Sequence, residues 1–187
     1  MGASRSLRVH RDGPRVLVFQ AHGDAVADDA MERQGFRAGD RTTGLWLSLT
    51  ALLHRTGWGR EPGQERTLGV WLPRAALDDY LHLGVVEERC DDLFGGVRGQ
   101  RMATRFAQVL VRWADDVDLD GSSTGEETPR LGLRQSALER FVASDVRSVE
   151  DWTATVAGGP AAVSARLPAR ELLEVASDTL QRITGGR

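Results

Sequence analysis

The chain contains no lysine and no asparagine, and all 24 of its basic residues are arginines. The absence of lysine excludes a Schiff-base lysine, a P-loop lysine and a lysine general base. Arginine stays protonated at working pH and does not act as a base, but its guanidinium binds a phosphate or carboxylate through two hydrogen bonds. The basic residues of this protein are therefore suited to binding anions.

The chain also has very little cysteine and no long apolar run. Cys90 is the single cysteine, so no disulfide forms within the chain, and a reducing compartment is expected. No apolar stretch approaches the roughly 20 residues of a membrane helix, and the polar N-terminal segment is unlike a signal peptide. The sequence therefore predicts a cytoplasmic protein without membrane contact.

Length and charge narrow the possibilities further. The 187 residues fit one domain, and the net charge of −3 gives no general attraction to nucleic acid or to anionic membranes. A nucleic-acid partner is not expected. We expect residues 1–14 to be a flexible N-terminus and residues 15–187 to fold as a single domain.

Hydrophobic periodicity and turn residues predict strands and helices in irregular alternation. The predicted strands are 15–20, 66–72, 106–113 and 130–133, and the predicted helices are 24–34, 45–56, 73–81, 136–143 and 168–183. Segments 84–104 and 115–128 show no clear periodicity, and the second is acidic and rich in glycine and serine. This order favours an α+β fold with a mainly antiparallel central sheet flanked by helices.

Several polar residues lie at the ends of the predicted elements 15–20, 45–56 and 66–72. Gln20 ends a buried strand, Arg55 lies off the apolar face of its helix, and Arg66 opens a strand. If these segments converge, the guanidiniums bind an anion, and Glu65 orients one of them. The alternative is an ion pair between Glu65 and an arginine that fastens the loop to the helix. The full set is Gln20, Arg41, Arg55, Gln64, Glu65 and Arg66, with His22 as a general base or donor at the same mouth.

Residues 116–127 match the spacing of a calcium-binding loop. The ligand positions are Asp116, Asp118, Asp120 and Glu127, with Gly121 at the sharp turn. The flanking context argues against calcium, because a strand precedes the loop where an EF-hand has a helix. A solvated acidic hairpin loop is the favoured interpretation.

Five short motifs resemble a family in the same order along residues 15–153. They are Val18-Phe-Gln-Ala21, Arg55-Thr-Gly-Trp58, Gly63-Gln-Glu-Arg66, Val109-Leu-Val-Arg-Trp-Ala-Asp115 and Arg130-Leu-Gly-Leu133. Together they are similar to domain-of-unknown-function family 4291, which is bacterial. The chain departs from that family where a Lys-Pro pair is missing before Ser48 and where an arginine is missing after Trp113.

The resemblance suggests a function by analogy. That family is in turn similar to ADP-ribosyltransferase-like folds, which take NAD with a polar residue ending the first strand, a central serine or threonine and a late glutamate. The analogy would give these roles to Gln20, Ser48 and Glu127, and it makes NAD a possible cofactor.

Two kinds of function remain open from the sequence. One is a nucleotide- or NAD-handling group transferase with catalytic residues Gln20, His22 and Glu65 and an arginine-lined anion site. The other is a non-catalytic binding or regulatory module, a degenerate relative that acts through a protein partner or a homodimer, for which the predicted helix 168–183 offers an apolar face.

Overall fold

The computed structural model describes residues 4–37, 39 and 44–185. The strands are β1 (Ser4–Arg5), β2 (Arg8–Asp12), β3 (Arg15–His22), β4 (Gly44–Trp46), β5 (Arg66–Pro73), β6 (Gly84–Val86), β7 (Val109–Val117), β8 (Ser123–Leu133), β9 (Ser148–Asp151) and β10 (Arg170–Leu172). The helices are α1 (Asp24–Arg33), α2 (Leu49–Arg55), α3 (Arg74–His82), α4 (Asp91–Phe94), α5 (Val97–Phe106), α6 (Gln135–Arg140), α7 (Thr153–Ala157), α8 (Pro160–Arg166) and α9 (Ser177–Thr184). A π-helical turn, Phe141–Asp145, continues α6. None of the helices in these ranges has the length and apolar character that a membrane crossing requires.

The strands form one curled sheet in the order β10-β2-β3-β4-β8-β7-β6. β5 pairs along the whole of β3 and also with β9, so β2 and β4 share the opposite edge of β3. The predicted α+β class and single domain are confirmed. The prediction of a mainly antiparallel sheet is wrong, because β1 pairs with β8 and β6 pairs with β7 in parallel, and the sheet is mixed.

The parallel pair of β6 and β7 explains this error. Parallel neighbours need a crossover connection, and here α4 and α5 supply it. α4 and most of α5 lie in segment 84–104, where the sequence predicted no regular structure, and α5 continues to Phe106. Because the helices and the three-residue strand β6 were missed, the parallel pairing could not be inferred.

Strand β3 separates two hydrophobic clusters. Val16 and Val18 face the cluster that includes residues of α1 and α3. Leu17 and Phe19 face the cluster that includes residues of α2, α7 and α8. All four side chains are fully buried. The sequence predicted a strand that is apolar on both faces, and the structure confirms it.

Both ends of the chain differ from the sequence prediction. Residues 8–12 lie in the segment predicted as a flexible terminus, yet they form β2, which pairs with β3 and β10. The predicted helix 168–183 is instead β10 followed by the shorter α9. Leu173 and Ile183 sit at helical spacing by coincidence, since they reach the same core from separate elements.

Two internal boundaries also differ. Residues 44–46 are a strand, and the predicted helix 45–56 begins only at Leu49, where the Ser48 hydroxyl caps it by accepting a hydrogen bond from the Ala51 amide. The predicted loop 115–128 is mostly strand, because β7 continues to Val117 and β8 begins at Ser123. Acidic residues occur on both faces of this hairpin, since adjacent Asp115 and Asp116 are exposed and buried respectively, so its alternation is not visible in the sequence.

A buried arginine joins the N-terminal strand to distant elements. The Arg5 side chain is 2% exposed, and its guanidinium donates to Glu127 at 2.7 Å, to Glu88 at 2.5 Å and to the Thr184 carbonyl at 2.5 Å. It also lies over the Trp113 ring, 5.2 Å from the centroid. Two carboxylates neutralise this cation, so β1, β8 and the end of α9 are held together.

His10 is the buried polar residue of β2. It is 1% exposed, and its Nδ1 lies 2.6 Å from the Pro168 carbonyl oxygen. Because a carbonyl oxygen only accepts, Nδ1 carries the proton. Burial, together with the positive charge of nearby Arg170, lowers the pKa of His10 from 6.5 to about 4. His10 is therefore neutral in the folded protein near neutral pH.

We expect Gly69→Ala to lower the free energy of unfolding by about 1–3 kcal/mol, because the site is already filled. A β-carbon at Gly69 would lie 2.5 Å from Nε1 of buried Trp152. Gly35→Ala is the control, since no atom of the described residues lies within 4 Å of its β-carbon position. Urea unfolding of both variants checks this, and equal stability of the two would contradict it.

We expect stability to fall as the pH drops from about 6.5 towards about 4, because the unfolded state protonates His10 first. The full loss is about 3 kcal/mol, and the contribution is complete above the unfolded pKa. In His10→Asn, whose amide can still donate to the Pro168 carbonyl, the loss over this range should be smaller. Urea midpoints against pH give the difference, and parallel curves would contradict the assignment.

Candidate functional site

The candidate site is a cleft at the place where β3 and β4 separate. Phe19 and Trp46 form the single register pair that joins these strands in the described ranges. Next to that pair lies a cavity of about 420 Å³, which we call the cleft. Its lining consists of Gln20, Ala21, His22, Gly44, Trp46, Leu52, Arg55, Pro62, Gly63, Gln64 and Arg130.

Two buried polar residues of β3 line the cleft. Gln20 and His22 are 2% and 7% exposed, and their spacing of two places them on the same face of the strand. Nε2 of His22 lies 3.1 Å from Oε1 of Gln20. Because the amide oxygen only accepts, Nε2 is assigned as the donor. The His22 ring also packs against Phe36, with centroids 5.7 Å apart.

Arg130 of β8 is a half-buried cation in the cleft lining. Its Nε is buried without a hydrogen-bond partner among the described residues, and its guanidinium lies over the Trp46 ring, 5.6 Å from the centroid. Burial lowers the pKa of Arg130, and repulsion by Arg112 and Arg55 lowers it further. Gly44 leaves room for this side chain, because a β-carbon there would lie 2.8 Å from Nε and Nη2.

Arg55 is the second cation of the cleft. It ends α2, where the partial negative charge of the helix C-terminus favours a cation. Its side chain makes no ion pair with a carboxylate of the described residues. Among the described residues, no carboxylate lines the cleft. The field in the cleft is therefore positive, which attracts anions.

The loop that carries Gln64 closes one side of the cleft. Gly63 adopts a φ of 77°, and its amide donates to Oε1 of Glu65 at 2.8 Å. This backbone hydrogen bond lowers the pKa of the Glu65 carboxyl. Glu65 is exposed, does not line the cleft, and holds the loop that positions Gln64.

The sequence-predicted site residues are only partly brought together. Gln20, His22, Arg55 and Gln64 meet in the cleft. Arg66 lies elsewhere, with its guanidinium 2.5 Å from Asp151, 2.9 Å from Asp28 and 3.3 Å from Asp24. These ion pairs join β5 to α1 and β9, so Arg66 is occupied by carboxylates. Arg41 lies outside the described residues.

The residues of the NAD analogy have separate partners. The Ser48 hydroxyl donates to Oδ1 of Asp116 at 2.8 Å, and Glu127 accepts from Arg5. Of the three residues, only Gln20 lines the cleft. The calcium pattern is likewise divided between strands and turn, with Asp120 accepting from the Ser122 amide at 2.8 Å. No cluster suited to a metal ion lies within the described residues.

Three lining residues of the cleft were not predicted as site residues from the sequence: Trp46, Gly44 and Arg130. Trp46 was assigned to a helix, and its pairing with Arg130 across β4 and β8 depends on a register that the sequence does not show. Arg130 does begin one of the family motifs, and that was the one signal for it. The half-buried cation of the cleft was therefore found only from the structure.

We expect Arg130→Met to raise the free energy of unfolding by about 1–3 kcal/mol, because it removes a half-buried cation that has no carboxylate partner in the described ranges. The matched substitution Arg5→Met should lower it by about 3–5 kcal/mol, because two carboxylates would lose their partner. Thermal and urea unfolding of both variants test whether the two changes in the free energy of unfolding have opposite signs. Destabilisation by Arg130→Met of the same size as Arg5→Met would show that Arg130 is already compensated.

Comparison with known proteins identifies one family. No curated protein matches the chain. The model of a domain of unknown function, DUF4291, matches residues 6–176, which is most of the chain. This match confirms the resemblance seen in the sequence motifs, and the chain belongs to the DUF4291 family.

Proposed function

We propose that the cleft binds a small anionic ligand of the nucleotide class. The main support is the presence of Arg55 and Arg130 in a cavity where no described lining residue is a carboxylate. Guanidinium groups bind phosphate through paired, charge-assisted hydrogen bonds. Unlike Arg5 and Arg66, these two arginines form no ion pair with a carboxylate of the described part of the chain that would compete with a ligand.

The size and composition of the cleft support a nucleotide over a simple ion. Its volume of about 420 Å³ lies within the range of small-molecule pockets, about 300–1,000 Å³. Trp46 and Leu52 add apolar surface to the polar lining, which suits a ligand with both a ring and a phosphate. Gln20 adds an amide to the same lining, and amides bind the polar edges of such ligands.

The finer proposal is a group transferase that uses NAD. It rests on the analogy with ADP-ribosyltransferase-like folds. In such a transfer the bond between the nicotinamide nitrogen and the ribose carbon breaks, and an acceptor oxygen or nitrogen bonds to that carbon while losing its proton. Gln20 and His22 are the polar residues of β3 in the cleft and are the proposed catalytic pair. Glu65 does not line the cleft and is left out of that role.

The alternative is a regulatory module that binds the same ligand without transferring a group. The continuous apolar face expected on helix 168–183 does not form, because Leu172 lies in β10 and Ile183 of α9 is buried in the core. Both versions use the cleft, but the regulatory module acts through a protein partner or a homodimer and shows no turnover.

We expect NAD, ATP or AMP to raise the melting temperature, whereas adenosine without phosphate should have a much smaller effect. A ligand at about 100 times its Kd adds about 2.7 kcal/mol, which is a shift of several degrees for a domain of this size. Arg130→Met and Arg55→Gln should each weaken binding by about tenfold or more in isothermal titration calorimetry.

Arg33→Gln is the control, since Arg33 is an exposed arginine that pairs with Asp29 and does not line the cleft. Unchanged affinity in both cleft variants, or no binding of any nucleotide, would rule out the proposed ligand class. Release of nicotinamide from NAD by the wild-type protein, followed by chromatography, separates the transferase from the regulatory module.

A further inference from the structure

A second cavity, of about 570 Å³, shares no lining residue with the cleft. It lies between the β7–β8 hairpin, the start of α2, α8 and the paired strands β2 and β10. Its lining includes His10, Thr50, Asp118, Leu119, Leu167 and Arg170. We call it the second cavity.

A buried ion pair supports one wall of the second cavity. Asp116 is 2% exposed, and its carboxylate accepts from Nη1 of Arg170 at 2.6 Å and from the Ser48 hydroxyl at 2.8 Å. Nε and Nη2 of Arg170 are buried without a hydrogen-bond partner among the described residues. These two nitrogens form the edge of a guanidinium that binds a carboxylate side-on, and Asp116 leaves that edge unused.

His10 lines the same cavity and carries an acceptor without a partner among the described residues. Its Nδ1–H donates to the Pro168 carbonyl, and the ring is neutral near neutral pH, so Nε2 is an acceptor. Nε2 is buried and has no partner in the part of the chain that the structure describes. A buried polar atom without a partner is costly, and a ligand with a hydrogen-bond donor would remove that cost.

The surroundings favour a single negative charge on the ligand. Asp116 already neutralises much of the Arg170 charge, and Asp118 and Asp120 also line the cavity. A phosphate dianion would be repelled by these carboxylates, whereas a monocarboxylate would meet less repulsion. Leu49, Leu119 and Leu167 supply apolar surface for the rest of a small organic molecule.

We propose that the second cavity binds a small carboxylic acid that carries a hydrogen-bond donor on the adjacent carbon and an apolar side chain. This description covers α-amino acids and α-hydroxy acids. Arg170 binds the carboxylate through Nε and Nη2, and Nε2 of His10 accepts from the neighbouring ammonium or hydroxyl group. The apolar side chain packs against the leucines.

Calorimetric titration with four probes tests the proposal: leucine, leucic acid, isocaproate and isopentylamine. Leucine or leucic acid should bind most tightly, isocaproate more weakly because it lacks the donor, and isopentylamine not at all. Tighter binding of leucine than of leucic acid identifies the amino acid as the ligand class, and the reverse order identifies the hydroxy acid.

Two variants locate the binding. Arg170→Lys keeps a cation for Asp116 but loses the side-on edge, so the Kd should rise by about tenfold or more. His10→Asn keeps a donor for the Pro168 carbonyl but loses the Nε2 acceptor. It should weaken leucine or leucic acid severalfold and leave isocaproate unchanged, and this readout remains if Arg170→Lys does not fold.

Arg11→Lys is the matched control, because Arg11 lies next to His10 on β2 and pairs with exposed Glu171. It should leave the affinities unchanged, as should Arg130→Met in the cleft. No binding of either acid up to about 10 mM, a concentration that corresponds to only about 3 kcal/mol of affinity, would overturn the proposal. Tighter binding of inorganic phosphate than of leucine, or loss of leucine binding in Arg130→Met, would also overturn it.

Discussion

The rest of the fold depends on the requirement that both faces of β3 be covered. Its alternate side chains are apolar and fully buried, so one helical layer must pack on each side, and the two hydrophobic clusters follow from this. The same alternation continues to the end of the strand, where Gln20 and His22 replace valine on one face. Polar groups at a strand end can be buried there because the neighbouring strand turns away and leaves a cavity.

The chain has no lysine, so residue type alone does not separate the cations that stabilise the fold from those that bind a ligand. The partners of each guanidinium make that distinction. Arg5 and Arg66 are surrounded by carboxylates and hold distant strands and helices together. Arg130 lies beside an indole and near two other cations, with no carboxylate bonded to it in the described ranges. An arrangement that is costly in the empty protein is one that an anion stabilises, which is why uncompensated charge indicates a binding site.

The sequence predicted those strands and helices whose residue pattern is complete within the element itself. Strands β3 and β5 and helices α1 and α3 have continuous apolar or periodic patterns and clear turn residues, and they formed close to where they were expected. Short strands such as β6 and β10 carry too few residues for a period, and their existence depends on a neighbour. The same reasoning applies to the cleft, because the sequence patterns of their own strand and helix were enough to predict Gln20 and Arg55 as site residues. Arg130 was not, because its position depends on the register between β4 and β8.

The single residue pair between β3 and β4 has a consequence for the cooperativity of unfolding. One half of the sheet carries β5 and β9, the other carries β7 and β8, and the hydrogen-bonded ladder between β3 and β4 is one pair long in the described ranges. Local opening in native proteins follows the boundaries with the fewest buried bonds. A ligand in contact with both Gln20 and Arg130 would add a second link between the two halves of the sheet. Occupancy of the cleft would then determine whether the two halves exchange their amide hydrogens as separate units or as one.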